Sequence, residues 1–233
     1  MPTRWTLIQR ARGETPEARA ALSELCEAYY QPVLRFLRRE GRDEDTAREL
    51  TQEFFARILG GGGFEQADPE RGRFRSYLLG ALKHFLADQR KLQLRLKRGG
   101  GVIAESLDAA GVDDESATLQ IADPTCPSPE SFFDREWALA LIGRGLDVLE
   151  REFVAAGKKD QFETLKPWLM GEGPSMSHAG AARHLSLSEG AVKVAIHRLR
   201  KRFRSVVRTE ISQTMSEPAL VDEELRHLIA ALS

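Results

Sequence analysis

The chain has 233 residues, of which 42% are hydrophobic and 30% are charged, and its formal net charge is −1. This length and apolar content suit one or two folded domains and exclude a chain that is mainly disordered. No apolar run approaches the length of a membrane span, and Cys26 and Cys126 show neither metal-ligand spacing nor a disulfide framework. We therefore expect a cytoplasmic protein with no membrane segment, no metal and no other cofactor.

The charges are strongly segregated along the chain. Seven acidic residues and no basic one lie from Glu105 to Glu130, whereas seven Lys or Arg and no acid lie from Lys193 to Arg208. The distribution of charge therefore says more about partners than the total does. A basic segment of this density favours a nucleic acid as one partner.

The apolar spacing is helical nearly everywhere, which predicts an all-α fold. A first helix opens at Pro16 and ends by Gly41, with a bend or a break at Pro32. A second helix runs from about Asp45 to Leu59, and a third spans roughly Phe74 to Leu96. Three such helices can enclose one small core.

Residues 99–130 break this periodicity and are rich in Gly, Asp, Ser and Pro, which favours a flexible acidic linker. We expect the linker to join two small helical domains, at residues 1–98 and 131–213. Residues 214–233 predict a further amphipathic helix. That helix either packs on the C-terminal domain or holds the two domains together in an inactive form.

Residues 175–203 have the pattern of a helix-turn-helix. A short Ala-rich helix precedes a turn at Ser186-Leu187, and Ser188 suits the N-cap of the next helix. That helix combines one apolar stripe with a basic opposite side, which suits the major groove of DNA. The predicted DNA contacts are Lys193, His197, Arg198, Arg200 and Arg204. The alternative is a basic helix that only meets solvent.

An acidic stripe lies on the second helix. Asp45, Glu49 and Glu53 are four residues apart, and like charges at this spacing destabilise a helix by a few tenths of a kcal/mol per pair. Acidic residues that destabilise their own helix in this way suggest that the stripe binds a basic partner. The alternative is an ordinary solvated helix face.

The third helix combines aromatic and basic residues. Basic groups beside Phe and Tyr suit single-stranded or melting DNA, because bases stack on rings and phosphates meet cations. The candidate residues are Arg73, Arg75, Tyr77, Lys83 and His84. The alternative is an amphipathic core helix with a basic end.

Three segments together resemble a known family. Residues 49–55, Glu-Leu-Thr-Gln-Glu-Phe-Phe, look like the acidic motif of sigma-factor region 2.2, and residues 74–78 with the helix after them resemble regions 2.3 and 2.4. Residues 188–200 resemble the recognition helix of region 4.2. With no helical domain between the two modules, the chain resembles the small extracytoplasmic-function group of sigma-70 family factors. Residues 68–76 and 97–101 resemble the subset associated with Ser/Thr protein kinases.

The resemblance implies a promoter-reading subunit of RNA polymerase and not an enzyme. The second helix would dock on the β′ coiled coil of the polymerase core, and the C-terminal module would meet the β flap. The contacts implied for the β′ subunit are Asp45, Glu49, Gln52 and Glu53. The third helix would hold the −10 element of promoter DNA, with a flipped base captured by loop 60–73. The helix-turn-helix would read the −35 element, and the acidic linker would thread the RNA channel.

The chain departs from the family pattern where a denser acidic run is usual, because Thr46, Ala47 and Arg48 stand there. Phosphorylation of Thr46 or Thr51 by a Ser/Thr kinase would restore negative charge at this place. The alternative is that the acids at 43–45 already suffice.

Two other classes compete with this interpretation. A stand-alone helix-turn-helix regulator explains residues 175–205 but leaves the acidic stripe and the third helix unexplained. An enzyme lacks support, because the five His show no close metal-ligand spacing and the glycines at 60–63 lack the Gly-Lys-Ser/Thr of a phosphate loop. We therefore expect no catalytic activity.

Overall fold

A computed structural model describes residues 16–60, 74–98, 128–170, 176–214 and 218–233. These ranges contain nine α-helices and one 3-10 turn, and no strand lies within them, so the predicted all-α fold is confirmed. The helices are α1 Pro16–Arg39, α2 Glu44–Gly60, α3 Phe74–Arg98, α4 Pro129–Ala155, α5 Lys159–Leu165, α6 Pro167–Met170, α7 His178–His184, α8 Glu189–Thr214 and α9 Val221–Leu232, with the 3-10 turn at Pro218–Leu220.

Helix α1 runs unbroken through Pro32, so of the bend or break expected there the break is wrong, and the bend stays a prediction. Proline has no backbone N–H, and the carbonyl of Ala28 therefore receives no bond from the residue four positions later. Arg144 of α4 supplies the missing donor, because its Nη1 lies 2.9 Å from the oxygen of Ala28. The proline thus leaves an acceptor in α1 that a side chain of another helix satisfies.

The first core lies among α1, α2, α3 and the first half of α4, with the end of α8 and helix α9 adding side chains to it. Its largest members are aromatic, and Tyr29 of α1 stacks on Trp137 of α4 with ring centroids 4.2 Å apart. Phe36 meets Phe133 edge-on at 6.0 Å, and Phe74 meets Tyr29 at 5.1 Å. Aromatic pairs of this kind add stability beyond their buried area. The first half of α4 is therefore part of the core that α1 to α3 enclose.

The second core lies among the end of α4 and helices α5 to α8. Leu149 of α4, Phe162 of α5 and Trp168 of α6 meet Val192 and Ile196 of α8. The apolar stripe predicted for the recognition helix therefore faces a core, as its spacing requires. This packing fixes which side of α8 is left for solvent.

Helix α4 is shared between the two cores. It begins at Pro129, where Ser128 caps it by accepting the backbone N–H of Ser131 at 3.0 Å. Two residues assigned to the linker, at 129 and 130, are therefore helical, and the rest of that linker before Ser128 lies outside the described residues. Further along, α8 approaches α4 closely, since a Cβ added at Gly145 would lie 3.0 Å from the ring of Phe203.

The C-terminal helix α9 packs on α4 and α8. Val221 and Leu228 are buried in the first core, and Leu225 and Leu232 are partly buried against it. The amphipathic helix expected in this part of the chain is therefore present. The helix also buries one carboxylate, that of Glu224, whose partner lies on α3.

Candidate polymerase and nucleic-acid interface

The acidic stripe on α2 is exposed along its whole length. Asp45, Glu49, Gln52 and Glu53 all face solvent, while Ala47 and Phe54 on the opposite side are buried. Only Glu53 has a partner within the described residues, the amide of Gln89. The sequence-predicted residues are thus brought together on one continuous negative surface.

The stripe begins at a well-formed helix N-terminus. Asp43 accepts the backbone N–H of Thr46 at 2.9 Å and its hydroxyl at 2.7 Å. The backbone bond and then the hydroxyl bond hold the pKa of Asp43 below its ordinary value, so this carboxylate stays ionised. Thr46 itself is half-buried at the edge of the stripe.

Thr51 is fully buried, and its hydroxyl donates to the carbonyl of Ala47 at 2.7 Å. A kinase cannot reach a hydroxyl in this position. The expectation of phosphorylation at Thr51 therefore does not fit the structure, because its spacing places it on the core side of α2, away from the stripe.

The −10 candidates on α3 do not form one exposed patch. Lys83 and His84 are exposed, and Tyr77 is half-buried, with the pKa of its hydroxyl raised by that burial. Arg75 is only 4% exposed. Arg73 and loop 60–73 beyond Gly60 lie outside the described residues.

Arg75 is surrounded by acidic groups of α4 and α9. Its Nε donates to Asp134 at 2.5 Å and its Nη1 donates to Glu224, which is 1% exposed. The second oxygen of Asp134 lies 2.7 Å from Nε2 of His227. A guanidinium this deeply buried requires such partners, because an unpaired buried charge is strongly unfavourable.

Lys83 also meets a carboxylate, that of Glu130 near the start of α4. Its ammonium is the first cause that holds the pKa of Glu130 below the ordinary value. In this structure, two of the basic residues predicted to contact the −10 element are thus paired with acids from another part of the chain.

Helices α7 and α8, joined by a short turn, lie in the segment where a helix-turn-helix was predicted. Ser177 caps α7 through the N–H of Gly180, and Ser188 caps α8 through the N–H of Ala191, each at 3.1 Å. Between the two helices, Ser186 has φ +54, and the N–H of Leu187 donates to the carbonyl of Ala182 at 2.9 Å. The local sequence therefore defines both ends of the turn.

All five −35 candidates on α8 are exposed. Arg200 is the only one of them with a partner in the described residues, as its Nη2 donates to the carbonyl of Trp168 at 2.9 Å. Beside them, Arg202 forms a two-point ion pair with Glu152 of α4. The bond from Arg202 holds the pKa of Glu152 below its ordinary value. Lys193, His197, Arg198 and Arg204 meet no acid among the described residues.

The acidic partners of α3 were not predicted from the sequence. Glu130 was placed at the end of the linker and Asp134 just after it, and neither was expected to contact α3. Glu224 lies in the C-terminal helix, for which no ion pair was predicted. One signal was present, because Glu224 lies three residues after Val221 and four before Leu228. A carboxylate within an apolar stripe indicates a buried cation elsewhere.

Among the described residues, no helix is long and apolar enough to cross a membrane. No group of three or more His, Cys, Asp or Glu within them could hold a metal ion.

Comparison with known proteins gives one family match. Residues 25–95, which cover most of α1 and all of α2 and most of α3, match the Sigma-70 region 2 family. Comparisons with curated proteins and with solved structures gave no significant match. Residues 25–95 are therefore similar to region 2 of sigma-70 family factors.

Proposed function

We propose that this chain is a two-domain sigma factor of the extracytoplasmic-function type, which binds RNA polymerase core and directs initiation at its promoters. The observation that carries the proposal is the region 2 match over residues 25–95, which includes the exposed acidic stripe of α2. The polymerase would perform the chemistry, and this chain would supply recognition without catalysis.

Docking on the polymerase would use the acidic stripe. Asp45, Glu49 and Gln52 point into solvent without partners among the described residues, so binding a basic helix would break no existing pair there. Opposite charges across an interface guide encounter and fix the register of the two surfaces. The β′ coiled coil is the partner implied by resemblance.

Promoter DNA would meet two helices. The exposed basic side of α8 would enter the major groove at the −35 element, where Arg and Lys contact bases or phosphates. The start of α3 would hold the melted −10 element. Support for the first contact comes from the exposure of Lys193, His197 and Arg198.

Run-off transcription with bacterial core polymerase tests this proposal, using promoter fragments pooled from the source genome. We expect transcripts that depend on the protein and share one −35/−10 pattern. Charge reversal by Glu49→Lys should weaken binding to core polymerase by on the order of tenfold, because it opposes the basic partner. Glu163→Lys, on the exposed side of α5, is the matched control and should bind normally.

A stand-alone duplex-binding regulator is the second candidate. It is favoured by α8, whose basic side is already exposed in the absence of polymerase. A gel shift of duplex DNA without polymerase, combined with no protein-dependent transcript, would select this candidate and exclude the first.

Regulation by a Ser/Thr kinase would act at Thr46. This residue is half-buried at the start of α2, and a phosphate there would add negative charge at the end of the stripe, near a helix N-terminus that favours anions. Thr46→Glu should then bind core polymerase more tightly than wild type, with Thr46→Ala as its control. Equal binding by Thr46→Glu and wild type would remove the kinase from the proposal.

A further inference from the structure

The start of α3 is covered by acidic groups from two helices outside the matched region 2. Arg75 lies between Asp134 of α4 and Glu224 of α9, and Lys83 is paired with Glu130 of α4. Carboxylates therefore occupy the positions at which the phosphates of a −10 element would have to neutralise these two cations. DNA and the acidic groups would compete for the same basic residues.

The two helices cover α3 in different ways. The first half of α4 is buried in the first core, with Phe133 and Trp137 each 1% exposed. In contrast, one side of α9 remains in solvent, where Ile229 is 56% exposed, and Val221 and Leu228 are its two apolar side chains buried in the first core. A short helix that rests on a few apolar side chains can detach without disturbing the rest of the fold.

Helix α9 nevertheless carries Glu224, the carboxylate that pairs with Arg75 at the start of α3. Glu224 is 1% exposed and reaches Arg75, and His227 on the next turn of α9 meets Asp134 at 2.7 Å. A buried ion pair gives little net stability compared with an apolar pair, and its best-attested use is to select one arrangement over another. The pair between Glu224 and Arg75 therefore selects the docked position of α9.

We propose that α9 is an autoinhibitory latch, which holds the start of α3 closed until promoter DNA takes over Arg75. This inference rests on the proposed function, because it assigns the −10 contact to α3. In the closed form Arg75 is buried and Lys83 is paired with an acid, whereas the −35 surface on α8 is open. The free protein can then contact duplex DNA but holds melted DNA poorly.

Two variants and one control test the latch. Glu224→Gln removes the charge but keeps the size of the side chain, and Leu228→Ala loosens α9 without touching the ion pairs. Glu223→Gln changes an exposed carboxylate on the same helix and is the matched control. Hydrogen exchange over residues 74–86 reports opening of α3. The ratio of binding to a bubble-containing DNA over the same DNA fully paired reports access to the −10 surface.

Opening should change both readouts together. If roughly nine molecules in ten are closed, opening raises the apparent affinity for bubble DNA about tenfold, because only the open fraction binds. We expect this gain, with faster exchange at 74–86, for Glu224→Gln and Leu228→Ala. Glu223→Gln should match wild type. Faster exchange without tighter bubble binding, or unchanged exchange in both variants, overturns the latch.

Wild-type protein provides a test that does not depend on variants folding. Coupling between two sites is reciprocal, so bubble DNA must release α9 if α9 excludes bubble DNA. Saturating bubble DNA should speed exchange at residues 221–232, and paired DNA should leave it unchanged. No change with bubble DNA overturns the latch.

Core-polymerase binding by wild type is measured separately, and its failure counts against the sigma-factor function. The exchange and bubble readouts still decide the latch in that case.

Discussion

The starts of α3 and α8 offer two basic surfaces in opposite states. On α3, the guanidinium of Arg75 is buried between two carboxylates, and Lys83 is paired with a third. On α8, Lys193 and Arg198 face solvent and meet no acid among the described residues. The difference teaches that basic residues on a helix do not by themselves make a DNA surface. What matters is whether other parts of the chain neutralise them first.

The largest effect should come from the open surface. If the guanidinium of Arg198 contacts a base, Arg198→Ala should weaken duplex binding by about 1–3 kcal/mol. If it contacts a phosphate, the slope of log affinity against log salt concentration should become shallower by about one. The measurement is a salt titration of duplex affinity. Lys83→Ala should leave that affinity unchanged, because Lys83 is already paired on the closed surface. Equal losses in the two variants would erase the contrast between α3 and α8.

Breaking the buried pair should cost less stability than its burial suggests. Removing one partner of a pair in a rigid core costs about 3–5 kcal/mol. If α9 can detach in Arg75→Ala, the carboxylate of Glu224 returns to water. The variant then loses, from its free energy of unfolding, no more than the free energy with which α9 docks on α3. For nine closed molecules in ten, that limit is about 1.4 kcal/mol.

Chemical denaturation of Arg75→Ala measures this loss, with Arg198→Ala as a surface control expected within about 0.5 kcal/mol of wild type. A loss near the rigid-core value would mean that α9 does not detach, and the closed surface would then be a permanent part of the fold.

The smallest effect concerns an exposed ion pair between α4 and α8, beside the second core. Arg202 lowers the pKa of Glu152 from its ordinary value of 4.5. A carboxylate whose pKa is lower in the folded than in the unfolded protein stabilises the fold at a pH above the unfolded-state pKa. That stabilisation is lost as the pH falls through the folded-state pKa. Since both side chains are well exposed, the contribution is about 0.5 kcal/mol or less. Glu152→Gln should therefore lower the melting temperature slightly at neutral pH and leave it unchanged in acid below the folded pKa.

Much of the fold follows from local sequence. The apolar spacing of Val192, Ile196 and Leu199 predicts the buried side of α8, and Ser188 predicts where that helix begins. The exposed stripe of α2 follows from the same reasoning. Each of these features depends on residues within two helical turns, so one sequence is enough to find them.

The closed surface could not be predicted in this way. Arg75 and Glu224 are 149 residues apart, and nothing near Arg75 indicates that a carboxylate from the end of the chain will reach it. The same holds for Pro32, which was expected to bend or break α1. The carbonyl of Ala28 that it leaves without a donor is satisfied by Arg144, more than a hundred residues later. Pairs that form only in the tertiary structure leave weak local signals.

The sharing of α4 between two cores gives the protein a built-in optical reporter. Trp137 is stacked on Tyr29, and the guanidinium of Arg144 lies 4.8 Å from its ring centre, so its indole is shielded from water. Detachment of α9 alone leaves this stack intact, whereas withdrawal of α4 from the first core bares the indole to solvent. In a variant with Trp5 and Trp168 replaced by Phe, a red shift of the emission would therefore distinguish release of one terminal helix from separation of the two cores.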